Sequence, residues 1–404
     1  MNLRVLVPAA AVLTSLGASV IGQSGPSESD LYTTGRWFEL RAVVTPRSPA
    51  LLRGAVAAAF NDSARAESLL RSVIHSQPAS DAADDAYARL CGLYLVSGRY
   101  SRFASTYREW GAAFPASAAY HEQRNQLERF TGRPDQINGR SRRVVVRHEL
   151  DGFTVPVTIN GRTENFLLDT GAFHSVMTDL EAKKLGLTVG AGGGLMTGSS
   201  GDSVRFHTAV APELKVGGTT FHNVSFAVPE PVGMWRDAEG GIAGLPLLLG
   251  LGAVRWSADG STELGTVNRA AAGTDPNLVF DHGRLLVKAE VLGAPVVMTL
   301  DTGANTTDLN ENFATEFRSF VEQGKRTSQD ITGAGGTRTF DAIEVPEVGF
   351  TIGSKRVFLR PAEISMQRIA GIGGDCCVGN AGQDLLAQAS GLTIDLATMS
   401  LRLQ

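Results

Sequence analysis

Phe166-Leu167-Leu168-Asp169-Thr170-Gly171-Ala172 and Met298-Thr299-Leu300-Asp301-Thr302-Gly303-Ala304 are two versions of one pattern, an apolar run that ends in Asp-Thr-Gly-Ala. A lone Asp-Thr-Gly triplet is common by chance and usually marks a surface turn. Here the surroundings repeat as well. Gly161 stands eight residues before Asp169, and Gly293 stands eight before Asp301. The hairpin leading into each aspartate therefore has the same length, and Asn160-Gly161 is a strong two-residue turn signal.

The parallel continues downstream. Nine residues after Asp169, Thr178 heads Asp179-Leu180-Glu181, which predicts a capped helix with Glu181 completing a capping box. Nine residues after Asp301, Asn310 can cap a helix running through Phe313 and Phe317. Two glycine-rich stretches follow, from Met196 to Gly201 and from Ile331 to Gly336. Last come Ile242-Ala243-Gly244-Leu245-Pro246 and Asn380-Ala381-Gly382-Gln383-Asp384, with Val378-Gly379 as an alternative register in the second copy. Strand-like Val254-Arg255-Trp256 and Leu392-Thr393-Ile394 close the two copies.

Upstream the pattern changes from strands to helices. Between about 50 and 132, apolar residues recur at helical spacing, as in Leu69, Leu70, Val73 and Ile74 and in Leu90, Leu93, Tyr94 and Leu95. Pro78, Gly98 and Pro115 punctuate these helices. Ala88 to Tyr100 resembles a tetratricopeptide helix pair over about two imperfect repeats. The module reads as a docking surface, as a bundle packed on the rest of the chain, or as a propeptide.

At the N-terminus, Arg4, the apolar run from Val5 to Leu16 and the small residues to Gly22 predict a cleaved leader over 1–23 and an exported, periplasmic or secreted protein. An uncleaved anchor is the other reading, but the run is short for a span of roughly 20 residues. No later stretch is long and apolar enough to cross a bilayer.

The expected organisation is α+β and multidomain: a helical module over 24–140, one β lobe over 141–268, a linker around 266–276, and a second β lobe over 277–404. At 404 residues, 43% hydrophobic and net charge −4, the chain supports sizeable cores and offers no basic surface for nucleic acid. Its three cysteines make no disulfide framework. Cys91 reads as a small buried residue, and Cys376 and Cys377 read as core residues or a vicinal disulfide. No ligand cluster predicts a metal.

The order of these motifs resembles that of retropepsin-like aspartic peptidases over about residues 143–404, and the tandem arrangement is similar to the two-lobed pepsin plan. The resemblance implies that Asp169 and Asp301 share one catalytic site in an inter-lobe cleft that takes an extended peptide, with no cofactor. It implies that Thr170 and Thr302 hold the two loops in register and that the hydrophobic-Gly segments brace them. It makes the glycine-rich hairpins flaps, with Thr197, Gly198, Thr332 and Gly333 as candidate flap residues. Gly171 and Gly303 would allow a sharp turn beside each carboxylate.

The chemistry accounts for the pairing. Two carboxylates that nearly touch cannot both ionise easily, so one keeps a proton while the other activates water. Ala172 and Ala304 stand where the pepsin-like pattern usually has a hydroxyl that donates to the carboxylate. Losing that donor predicts activity at mildly acidic to near-neutral pH. The rival reading is a non-catalytic peptide-binding or scaffold protein that keeps the lobes. His174 and the run Arg140 to Arg143 are expected on solvated surface, and Trp235 and Trp256 in packing roles.

Overall fold

The computed structural model describes residues 25–124, 130, 132–147, 152–198, 201–236, 238–265, 275–368 and 376–404. The expected leader and most of the expected linker lie outside the described residues.

Short caps and breakers set the helical region. Ser80 accepts a hydrogen bond from Ala83 N and starts the helix Asp81–Val96, which stops before Gly98 at φ +69°. This helix packs against Ser63–Ser76 on one side and Tyr100–Ala113 on the other. Between them Leu70, Leu90, Tyr94, Phe103, Tyr107 and Trp110 are buried. Burial of each large apolar side chain contributes roughly 1.5–3 kcal/mol. Trp110 sends its indole N–H to Asp84, so the buried ring keeps its polar atom paired.

The helical region is joined to both β lobes. Leu31, Trp37 and Leu40 from the first two helices are buried with Val279, Leu286 and Cys377 of the second lobe. Arg133 donates to Ser225 Oγ and Thr208 Oγ1 in the first lobe, each at 2.8 Å. Ile137–Asn138 pairs as a strand with His222 and Phe221 of that lobe.

Among the described residues the strands form three sheets. An eight-stranded sheet belongs to the first lobe and a ten-stranded sheet to the second. In each, a hairpin delivers the aspartate-bearing strand: Thr154–Ile159 to Arg162–Leu168, and Arg284–Val291 to Ala294–Leu300. The third sheet has five strands drawn from both halves. At its centre Val254 faces Ile394, Arg255 faces Thr393 and Trp256 faces Leu392. The two strands that close the sequence repeats thus pair with each other, so the lobes share a backbone ladder as well as side-chain contacts.

Some local expectations hold and others change. Thr178 caps its helix through Glu181 N at 3.1 Å, but the Glu181 carboxylate accepts from Gly240 N instead of closing a capping box. Cys376 and Cys377 form a vicinal disulfide, and Cys91 is a buried free thiol. Arg143 is exposed, as expected, and is bound to Glu263 where Val144–Arg147 enters the shared sheet beside Ser261–Leu264. His174 is not a surface residue. Its ring lies against Phe130 and Phe206 at 5.9 Å and Phe173 at 6.4 Å, since the chain after Ala172 turns inward under the helical region.

Candidate active site

Each aspartate sits where its apolar strand ends against a parallel neighbour. Leu167 and Leu168 pair with Ile242 and Ala243, and Asp169 N donates to Ala243 O at 3.0 Å. Thr299 and Leu300 pair with Asn380 and Ala381, and Asp301 N donates to Ala381 O at 3.0 Å. Asn380-Ala381-Gly382 is therefore the second copy's register, and Val378-Gly379 is not.

The loops then turn identically. Gly171 N and Ala172 N donate to Asp169 Oδ1 at 2.7 and 3.1 Å. Gly303 N and Ala304 N donate to Asp301 Oδ1, both at 3.0 Å. Glycine is required here for space rather than for turning. A Cβ on Gly171 would stand 2.6 Å from the Asp301 Cγ, and one on Gly303 would stand 2.3 Å from the Asp169 Cγ. Each motif glycine is the surface on which the opposite aspartate rests.

The threonines tie the loops together. Thr170 Oγ1 donates to Leu300 O at 2.7 Å and accepts from Thr302 N at 3.0 Å. Thr302 Oγ1 donates to Leu168 O at 2.5 Å and accepts from Thr170 N at 3.1 Å. Both side chains are fully buried, and each hydroxyl satisfies two main-chain groups of the opposite lobe.

The electrostatics follow from this proximity. The Asp169 carboxyl is held well above the usual carboxylate range, first by burial, next by the Asp301 charge, and then by a hydrogen bond between the two carboxyl groups. The Gly171 and Ala172 amides oppose that shift only in part. Asn380 Nδ2 donates to Asp301 Oδ2 at 3.0 Å, a contact the sequence reading missed by treating Asn380 as a departure from an apolar pattern. A polar residue at that place in only one copy was the available signal.

The tips of the two glycine-rich hairpins meet each other. Thr197 pairs with Ser203 in one, and Gly333 with Gly336 in the other. Hydroxyls stiffen both tips, Thr197 to Ser203 at 2.7 Å and Thr332 to Thr337 at 2.8 Å. A Cβ on Gly198 would stand 2.2 Å from Ala334 N, so one tip touches the other. Arg338 holds Asp202 through Nε at 3.1 Å and Nη2 at 2.7 Å. Trp235 Nε1 donates to Ala334 O at 2.8 Å, so this tryptophan links the lobes and does more than pack. Trp256 has the expected packing role, with its ring 5.0 Å from Phe153.

Among the described residues no group of three or more His, Cys, Asp or Glu is arranged to hold a metal. Residues 155–251 match the family model described as aspartyl protease. A solved retropepsin-like aspartic protease from Rickettsia conorii is similar over 93% of its own chain and 32% of this one, at 19% identity and a TM-score of 0.22. No curated protein matches the sequence. The likeness to aspartyl proteases shown by the family model lies within the first lobe and spans the strand that delivers Asp169.

Proposed function

We propose that the chain is an aspartic endopeptidase in which Asp169 and Asp301 act together on one peptide bond. The observation that carries this is the crossed contact at the lobe interface: each motif glycine leaves just the room that the other lobe's carboxyl fills. Such closeness leaves one proton for two carboxyl groups. The anionic carboxylate takes a proton from a water as its oxygen bonds to the substrate carbonyl carbon. The protonated carboxyl gives its proton to the carbonyl oxygen. The carboxyl that took the water's proton then gives it to the amide nitrogen, while the other, now anionic carboxylate takes a proton from a hydroxyl of the tetrahedral carbon; the C–N bond breaks, amine and carboxylic acid leave, and one proton remains on the pair. An extended substrate under the two hairpins would gain strand-like hydrogen bonds from them.

Two further elements belong to the proposal. The helical region serves as a tetratricopeptide-like docking module. A cavity of about 1040 Å³ between it and the lobes, lined by Glu67, Arg89, Gln136, Phe173 and His282 among others, supports that reading. The leader over 1–23 directs export to the periplasm or beyond, which N-terminal sequencing of the secreted protein would test.

Purified protein incubated with denatured protein substrates, with and without pepstatin, tests the central claim. Cleavage should be pepstatin-sensitive and lost in both Asp169→Asn and Asp301→Asn. No cleavage by the wild type, or cleavage that survives either substitution, favours the scaffold reading instead.

A further inference from the structure

The two halves of the site are not equivalent, and the difference is concentrated beside one aspartate. In the first lobe, the strand Ser175–Met177 places Val176 opposite Ile242, next to the strand that ends at Asp169. In the second lobe the same two places hold Asp308 and Asn380, paired across the same kind of antiparallel contact. An apolar pair has become a polar one in one copy only. Asn380 is 4% exposed, and its amide nitrogen reaches Asp301 Oδ2 at 3.0 Å. Ile242, in the matching place beside Asp169, has no donor to offer.

Otherwise the carboxylates are treated alike, since each Oδ1 accepts two loop amides. A donor to a carboxylate favours its charged form. We propose that Asn380 is a positioning residue that fixes the division of labour: it holds Asp301 as the anion that activates water and leaves Asp169 as the proton-bearing acid. This rests on the aspartic peptidase reading above.

The surroundings agree in direction. Burial and the facing Asp301 charge raise Asp169, as a retained proton requires. The other titratable group against Asp301 is Asp308, with Asp384 and Glu363 beyond it. Burial, followed by the Asp384 charge, pushes Asp308 up to about 7. It accepts from Gln329 Nε2 at 2.9 Å on the flap strand Lys325–Gly333. Below neutrality Asp308 is uncharged and does not oppose the Asp301 anion. Above neutrality its charge does. In acid, the Asn380 donor therefore favours an Asp301 anion that Asp308 does not oppose.

The decisive variant is Asn380→Ile, which copies the first lobe. Its kcat/KM profile should show the acid limb raised by about one pH unit, the size expected from losing one hydrogen bond to a charged group. Ile242→Asn, which leaves Asn380 in place and supplies a donor to Asp169, should lower the alkaline limb, and it stands in if Asn380→Ile does not fold. Infrared titration of the carboxyl C=O band, without substrate, reads the same upward shift in Asn380→Ile. That measurement still decides the role of Asn380 if the wild type cleaves nothing, in which case only the peptidase reading falls. Unmoved limbs with reduced kcat would make Asn380 merely structural and overturn the proposal. A downward shift in Asn380→Ile would also overturn it, because the amide oxygen would then be accepting a proton from a neutral Asp301.

Discussion

Gly303→Ala gives the sharpest test of the crossed geometry. The added methyl would begin 2.3 Å from Asp169 Cγ. Unbonded carbons settle at about 3.5–4.0 Å, so the carboxyl or the loop must retreat by more than roughly 1 Å. Gly303 has no positive φ, so alanine brings no backbone strain and the effect is one of space alone. A misplacement of about 1 Å in a reacting group costs roughly 10²-fold in rate, while overpacking costs about 1–3 kcal/mol of stability. The expected outcome is a folded protein with kcat/KM reduced about 100-fold, read with a fluorogenic peptide and subtracted for pepstatin-resistant signal. Gly192→Ala is the control, since a Cβ there meets nothing within 4 Å. If Gly303→Ala cleaves as well as the control, the glycine is not the seat of the opposite aspartate and the reasoning fails.

Three other outcomes are expected. Thr302→Val keeps the shape but strands Thr170 N and Leu168 O in a buried interface, so denaturant unfolding should show a loss of about 2–6 kcal/mol; a change within experimental error would remove the threonines from the list of interface ties. Asp308, raised in the fold to about 7 from 3.8, contributes stability that is complete below its unfolded value and is lost as pH rises through about 7. That gap corresponds to on the order of 4 kcal/mol, so Asp308→Asn should flatten the fall in unfolding free energy between acid and neutral pH. Trp235→Phe loses the donor to Ala334 O, and about 1 kcal/mol of hairpin closure should appear as a several-fold rise in KM with kcat retained.

The duplication was legible because it is written in local signals. Asn160-Gly161, the Thr178 and Asn310 caps and the apolar strands before each aspartate act over a few residues, and each element formed where those signals lie. Glu181 was misread because a capping box and a buried carboxylate share one sequence pattern. Gly240, 59 residues away, decides between them. His174 was misread because the phenylalanines around it include Phe130 and Phe206, which no local pattern places beside it.

By itself, the sequence determined that this chain holds two Asp-Thr-Gly-Ala loops with matched hairpins, caps and bracing segments behind a helical region. Only the tertiary structure decided that Gly171 lies against Asp301 and Gly303 against Asp169, that the closing strands pair into a shared sheet, and that Asn380 serves one carboxylate alone. The physical reason is range. Turn and capping preferences are set by neighbours in sequence, whereas the glycine seats of the carboxyls, 130 and 134 positions away, and the Asn380 donor, 79 away, are brought in by folding.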